Sequence, residues 1–296
     1  MTKLKFGIFL AIAAASLYAI NTPLSKLLLD AVPPTLMAGL LYLGAGIGML
    51  GIALTRRLRG KAKQQPLTRT DLPFTLAMIL LDIAAPISLL FGLRACSAAS
   101  ASLLGNFEIV ATALIALLLF RERISLRLWL GIGFVTLSCL ILTVGDIGSL
   151  RFSAGSLLVL LACVCWGVEN NCTRRLSDKD PLQIVLLKGI FSGGTSLVIG
   201  LLIGERPAAL WSVLAVLGVG FVAYGMSIFL YVYAQRTLGA ARTGAYYAVA
   251  PFIGALLSLL LFHEIPGASF LIALSLMAIG AFLCASDKPL FKRKKS

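Results

Sequence analysis

Charged and metal-binding side chains are scarce in this chain of 296 residues. It has one histidine and 12 acidic residues, and only 13% of its residues are charged. A soluble domain needs far more polar surface to cover its core, so this composition argues against a soluble protein. No nucleophile–base motif, paired metal-ligand motif or Walker A sequence is present, which argues against an enzyme and against direct ATP coupling.

The few residues that often form disulfides or metal sites are poorly placed for either. Most of the six cysteines fall in apolar runs, where cysteine acts as a small packing residue, and none forms a C-x-x-C pair. They are Cys96, Cys139, Cys163, Cys165, Cys172 and Cys284. The lone His263 stands beside Glu264 at the end of an apolar run and suits a structural role. We therefore expect no disulfide, no metal and no cofactor.

Apolar residues, by contrast, are abundant: they make up 59% of the chain, and the mean hydropathy is +0.97. Ten runs have roughly the 20 residues that a helix needs to cross the hydrocarbon core. They are rich in helix formers and too long for barrel strands, so they predict an all-α membrane protein with ten transmembrane helices. The first run is too long for a signal peptide and lacks a clear cleavage site, so we keep it as a span. Spans one to ten are Phe6–Leu29, Thr35–Leu54, Leu72–Leu93, Ser97–Phe120, Leu126–Val144, Ser153–Cys172, Pro181–Ile203, Trp211–Gln235, Ala240–Phe262 and Ala268–Ser286.

The net charge of +14 is unevenly distributed along the chain. Of the 26 lysines and arginines, 21 lie at the termini or in alternate connections, and the other connections hold only Arg94, Arg151 and Arg206. The positive-inside rule then places both termini in the cytoplasm, where the basic clusters face anionic lipid rather than nucleic acid. Lys26 and Lys188 lie within spans, and we expect both to extend to the membrane surface.

The chain contains an internal repeat. Shifted by 142 residues, Arg94–Glu122 falls on Arg236–Glu264, and ten of the 29 pairs are identical, including the arginine and the final Phe-x-Glu. Since each unit would have five spans, the second enters the membrane in the opposite orientation. We predict two inverted five-helix repeats, residues 1–147 and 148–288, followed by a basic tail, 289–296. Such repeats are typical of secondary transporters with a site near the midplane.

Three stretches resemble a known family. The sequence LGAARTGAYYAVAPF from Leu238 to Phe252, continuing to Glu264, resembles the ninth-helix signature of EamA-type transporters in the drug/metabolite transporter superfamily. Phe120–Arg123 is similar to the matching end of the fourth helix, and Trp166-Gly167 to the Trp-Gly of the repeat's first helix. The resemblance covers nearly the whole chain. It implies export of amino acids, metabolites or drugs, or uptake by some members, across a bacterial plasma membrane.

The chain departs from the family pattern in the fourth helix. The family commonly has Glu-Pro there, whereas this chain has Glu108-Ile109, and the second half has Ala250-Pro251. The two halves therefore differ in charge and in helix flexibility, which suggests a fixed direction of transport.

Ionisable residues inside a bilayer are costly, by at least about 2.5 kcal/mol, and are often functional. Three acids fall well inside spans: Asp82, Glu108 and Glu169. All three are candidates for substrate binding or coupling, with Glu108 or Glu169 as a substrate-amine contact or a proton-coupling site. Asn106 precedes Glu108 and Asn170 follows Glu169, and both amides are candidates for hydrogen bonds to a polar substrate. The alternative is a helix–helix hydrogen bond or an ion pair.

Further candidates flank a possible cavity. Asn21 precedes Pro23, which would kink span one, and Pro86 and Pro251 are candidate hinges of the same kind. Tyr18 and Trp166 occupy matching repeat positions and are candidates for the cavity wall. We expect most of the other aromatic side chains to anchor the membrane interfaces. They are Tyr42, Phe91, Phe107, Tyr224, Tyr231, Tyr233, Tyr246 and Tyr247.

The sequence predicts a secondary active transporter that binds a small molecule and acts as a monomer or homodimer. A metabolite uptake permease, a channel and an intramembrane enzyme stay as alternatives. Glycines in spans two and seven predict close helix packing.

Overall fold

A computed structural model of the chain describes residues 3–58, 65–120, 126–146, 151–176, 179–238, 243 and 246–285. All ten predicted spans coincide with helices, several of which are divided. The helices are α1 (Lys3–Ala19), α2 (Asn21–Leu28), α3 (Pro34–Leu58), α4 (Leu72–Ala95), α5 (Ala98–Leu104), α6 (Phe107–Phe120), α7 (Leu126–Thr143), α8 (Ala154–Arg175), α9 (Pro181–Leu187), α10 (Gly193–Leu202), α11 (Leu210–Val219), α12 (Ser227–Leu238), α13 (Ala250–Phe262) and α14 (Ala268–Ala285).

Eight of the spans are long and apolar enough to cross a membrane, and α13 and α14 are shorter apolar helices. The predicted all-α membrane fold is thereby confirmed. A short antiparallel pair, β1 (Val144–Asp146) and β2 (Arg151–Phe152), joins spans five and six. The predicted boundary between residues 147 and 148, the basic tail 289–296 and parts of span nine lie outside the described residues. The repeat itself stays a prediction.

Several spans are broken near their middle. Span one is interrupted at Ile20, three residues before Pro23, and span four is interrupted at Gly105-Asn106, between α5 and α6. A turn also precedes Pro251, at the start of α13. Because proline has no N–H and its ring crowds the preceding turn, two of these breaks follow from proline. Pro86, in contrast, lies inside the continuous helix α4.

Two spans contain π-helical segments. Lys188–Ser192 joins α9 to α10, and Gly220–Met226 joins α11 to α12. Both segments pack against α3, where backbones approach closely. A Cβ atom on Gly189 would collide with the backbone of Gly46, so the glycines predicted to allow close packing do so at this crossing.

The connections after spans two and six lie on the same side of the bundle. Lys179 forms an ion pair with Asp71 at 3.2 Å, and Arg56 lies 3.8 Å from Asp180. The Asp180 N–H also donates to the Gln65 carbonyl at 2.9 Å. Two of the basic connections therefore share a face, as the charge pattern requires.

Candidate functional site

Three charged side chains meet in the interior of the bundle. Lys188 Nζ lies 2.6 Å from Glu169 Oε1 on α8 and 3.2 Å from Asp82 Oδ2 on α4. The contact with Glu169 has the geometry of a hydrogen bond. The contact with Asp82 is an ion pair whose geometry does not meet that of a hydrogen bond. The exposed fractions of Asp82, Glu169 and Lys188 are 1%, 4% and 7%. We call these three residues the buried ion cluster.

Two hydroxyl groups complete the contacts of the acids. The buried Tyr42 hydroxyl donates to Asp82 Oδ1 at 2.8 Å, and the Thr173 hydroxyl, one turn along α8, donates to Glu169 Oε1. The cluster thus places two carboxyl groups around one lysine. Charged groups are costly in a low-dielectric interior, so each acid depends on the lysine for charge compensation.

The expectation that Lys188 extends to the membrane surface is wrong. Its ammonium group lies among acids inside the bundle, because two carboxylates offer it a better environment than hydrocarbon does. Lys26 behaves differently. It donates to the Cys96 carbonyl at 2.9 Å, and so satisfies an acceptor beside the C-terminal end of α4.

Glu108 has a separate set of partners from those of the cluster. At the start of α6, its Oε1 accepts a hydrogen bond from the Asn170 side chain on α8 at 2.6 Å. The same amide lies 3.4 Å from the Thr112 hydroxyl, one turn along α6. The amide next to Glu169 in sequence is thus the partner of Glu108, and it ties span four to span six.

Tyrosine rings connect this region with span one. The Tyr224 ring centroid lies 5.1 Å from that of Tyr42 and 5.9 Å from that of Tyr18, and Tyr18 lies 5.8 Å from Tyr247. The buried Asn21 side chain donates to the Tyr224 hydroxyl at 3.4 Å. The expectation of interfacial anchors is wrong for Tyr42 and Tyr224, which are 4% and 3% exposed. They form an aromatic wall between Asp82 and span one.

The other predicted site residues lie apart from the cluster. Trp166 is buried in the main apolar core on α8. Asn106 is buried at the break of span four, where its amide donates to the Leu103 carbonyl at 3.4 Å. The roles predicted for both residues stay predictions.

A cavity of about 350 Å³ lies away from these polar groups. It lies between span one and span nine, and its lining is apolar. The lining residues are Ile20, Pro23, Leu24, Leu257, Leu260 and Leu261. The polar groups described above are packed together, and none of them lines this space.

Sequence reasoning missed the contribution of Lys188 and of the buried tyrosines. A usable signal was present: the spans contain three acids and two lysines, and charges inside a membrane usually pair with one another. Chain position alone did not show which lysine meets which acid.

Proteins with similar sequences are named as transporters, and a solved structure has a similar fold. The chain is 28% identical over 277 residues to a protein named "Uncharacterized transporter" from Methanothermobacter thermautotrophicus, covering 88% of this chain and 80% of that one. It is 24% identical over 177 residues to the "Uncharacterized transporter YyaM" of Bacillus subtilis, covering 56% of this chain and 58% of the relative. A crystal structure of a protein 19% identical to this chain aligns over 94% of both chains with a TM-score of 0.67, which supports the fold.

The family comparison covers most of the sequence. The model of the EamA-like transporter family matches residues 5–144 and again residues 153–286. The chain therefore belongs to the EamA-like transporter family, within the drug/metabolite transporter superfamily.

Proposed function

We propose that this protein is a secondary active transporter that exports small metabolites, such as amino acids, or drug-like compounds across the bacterial plasma membrane. Its two inverted halves, 1–147 and 148–288, alternate access to a central site, and both termini lie in the cytoplasm. In this proposal its partners are the substrate, the bilayer and protons, and it acts as a monomer or homodimer. It performs no chemistry on its cargo.

The buried ion cluster is the observation that carries the proposal. Asp82 belongs to the first half, whereas Glu169 and Lys188 belong to the second, so the ion pair spans the two halves. Ionisable groups inside a membrane bundle mark substrate or ion pathways, since they are too costly to keep for packing alone. A charge contact between two moving parts also provides an interaction that substrate or proton binding can weaken.

Helix packing supports the pair of inverted halves. Span three packs on span six and span eight on span one, while spans two and seven, four and nine, and five and ten pack on each other. If each span is replaced by its counterpart in the other half, the contact between spans three and six becomes the contact between spans eight and one. The other three contacts stay the same. The double match to the family agrees with two similar units.

The chemistry near Glu108 supports a substrate that has an amine and an apolar or aromatic body. Glu108 and the Asn170 amide offer a charged acceptor and a hydrogen-bonding partner. The Tyr18 ring makes an edge-to-face contact with Tyr224 and a tilted contact with Tyr247. An ammonium group can bind the carboxylate while the rest of the molecule contacts the rings.

A growth-toxicity screen of amino acids and drugs with the protein overexpressed tests direction and supplies a substrate. Protection supports export, and sensitisation indicates uptake instead. In proteoliposomes, we expect saturable counterflow of the compound, and net flux that is larger with a proton gradient than without one. Unsaturable conductance would indicate a channel, and product formation an enzyme.

Glu108→Gln tests the role of the acid. We expect this variant to insert normally and to lose transport, because the amide keeps the size of the side chain but removes the charge. Glu264→Gln, at the end of span nine, is the matched control and should keep transport. Full transport by Glu108→Gln would exclude the proposed role of Glu108 without affecting the counterflow result.

A further inference from the structure

The connection between spans seven and eight reaches across the two predicted halves to the start of span two. The Glu205 carboxylate accepts a hydrogen bond from the Leu36 N–H at 2.6 Å and one from the Thr35 N–H at 3.3 Å. The Ala208 N–H donates to the Ala31 carbonyl at 2.8 Å. We call these three hydrogen bonds the outer contact, because the predicted orientation puts both connections outside the cell.

The start of α3 is a favourable place for a carboxylate from another segment. The first N–H groups of a helix have no acceptor within it, and the helix dipole adds partial positive charge there. Helix α3 begins at Pro34, which has no N–H, so the groups of Thr35 and Leu36 come first. Both residues are only 2% exposed, and Glu205 supplies their acceptor. Gly204, with a φ of +88°, turns the chain at the end of α10 and brings Glu205 towards α3.

A second set of contacts joins the opposite ends of spans two and seven. The Leu67 N–H, in the connection after span two, donates to the Gln183 side chain at 3.0 Å. The Asp180 N–H, at the start of span seven, donates to the Gln65 carbonyl at 2.9 Å. We call these two hydrogen bonds, with the ion pair of Asp71 described above, the inner contact. Like the outer contact, it links the first half to the second.

The two contacts are counterparts in the predicted inverted repeat. Exchange of the halves turns the connection before span two into that before span seven, and the connection after span seven into that after span two. A shift of 148 residues accordingly places Pro33 on Pro181, so the start of α3 falls near the start of α9. The chemistry of the two ends differs. Helix α9 is capped by its own Asp180, which accepts from the Leu182 N–H at 3.1 Å, whereas α3 is capped from the other half.

We propose that the outer contact is the outer gate of the transporter and that Glu205 is its principal residue. The assignment rests on the proposed alternation of the two halves. Any movement that separates the halves at the outer face has to remove Glu205 from α3, while the inner contact keeps the other face closed. Hydrogen bonds to a carboxylate are stronger than those between neutral groups, so Glu205 sets how often the outer side opens.

The first test measures opening of the outer contact in the purified full-length protein in lipid nanodiscs. Thr35→Cys places a thiol at a buried position next to the Glu205 carboxylate. A charged, water-soluble maleimide reaches this thiol only when the contact opens, and the same proteins with Thr35 give the background from the native cysteines. We expect Glu205→Ala to speed the labelling about tenfold, and Glu205→Gln to have a smaller effect because its amide oxygen still accepts a hydrogen bond.

Glu264→Ala is the matched control for this measurement. Glu264 lies in another connection on the same face, after span nine, and its replacement should leave the labelling rate unchanged. Equal labelling rates with Glu205 and with Glu205→Ala would overturn the proposal. Because the measurement needs no substrate, its result is independent of whether the transport proposal holds.

A cross-link distinguishes a gate from a static contact of the fold, and it also decides the question if Glu205→Ala does not fold. The backbone hydrogen bond between Ala31 and Ala208 brings these two residues together, so Ala31→Cys with Ala208→Cys can be joined by oxidation. We expect the oxidised protein to lose counterflow in proteoliposomes and to regain it on reduction. If the unmodified protein shows counterflow and the cross-linked protein keeps it in full, the outer contact is static and the proposal is wrong.

Discussion

Removal of the lysine from the buried ion cluster is the most direct test of its energetics. Lys188→Met keeps a long, flexible side chain but leaves Asp82 and Glu169 without their cation. At an effective dielectric constant of about 20, attraction over the observed 2.6 and 3.2 Å amounts to roughly 6 and 5 kcal/mol before the cost of desolvation. Removal of one partner of a buried ion pair typically lowers the free energy of unfolding by about 3–5 kcal/mol, because it leaves an uncompensated charge in the interior.

Reversible unfolding by SDS titration in mixed micelles measures this loss. We expect Lys188→Met to lose about 3–5 kcal/mol of unfolding free energy. The triple variant Asp82→Asn, Glu169→Gln, Lys188→Met should recover most of that loss, because it removes the unpaired charges together with the lysine. Lys179→Met is a matched control: its 3.2 Å ion pair with Asp71 lies in a connection, and its loss should have little effect.

Two results would refute this reasoning. If Lys188→Met unfolds at the same SDS fraction as the unmodified protein, the lysine does not compensate the acids. If the triple variant is as unstable as the single variant, the loss comes from packing around the side chain and not from charge.

Three further variants test neighbouring contacts. Tyr42→Phe should cost about 1.5–3 kcal/mol in SDS titration, since it removes a 2.8 Å hydrogen bond to the Asp82 carboxylate, and no loss would show that the contact is unimportant. Asp82→Asn should abolish transport. Its loss of unfolding free energy should be smaller than that of Lys188→Met, because Glu169 still neutralises the ammonium group; equal losses of unfolding free energy in the two variants would contradict this. Gly189→Val should lower the monodisperse fraction in size-exclusion chromatography, since its side chain meets the Gly46 backbone at a cost of about 1–3 kcal/mol. Gly194→Val, with no atom near the added carbon, is its control and should behave as the unmodified protein does.

The sequence was sufficient for the ten spans, because an apolar run long enough to cross the hydrocarbon has few other stable forms in a membrane. It also located the three acids that lie within the spans, Asp82, Glu108 and Glu169, since the cost of a charge in a membrane makes such residues conspicuous. Kinks or hinges were predicted at Pro23, Pro86 and Pro251, and the helix is interrupted near Pro23 and Pro251 but continuous at Pro86. The break at Gly105-Asn106 has no proline, and it follows from two residues with weak helix propensity.

Partners of buried charges could not be deduced in this way. Asp82 and Lys188 are 106 positions apart in the chain, and only the packing of α4 against the π-helical segment of span seven brings them together. Asn170 follows Glu169 directly, yet its amide points to Glu108 on another helix. Consecutive helical residues face different neighbours, so proximity in sequence was a poor guide to the hydrogen-bond partner.

The geometry of the cluster also bears on how the proposed halves would separate. Lys188 and Glu169 both belong to the second half and share a 2.6 Å hydrogen bond, so they would move as one unit. The contact with Asp82 is longer and lacks hydrogen-bond angles, and it is the contact that crosses between the halves. Separation would therefore break the weaker of the two contacts and leave Asp82 with its Tyr42 hydrogen bond but no cation. A substrate ammonium group or a proton that neutralises Asp82 would remove that cost, and this is how cargo binding and the movement of the halves would be coupled.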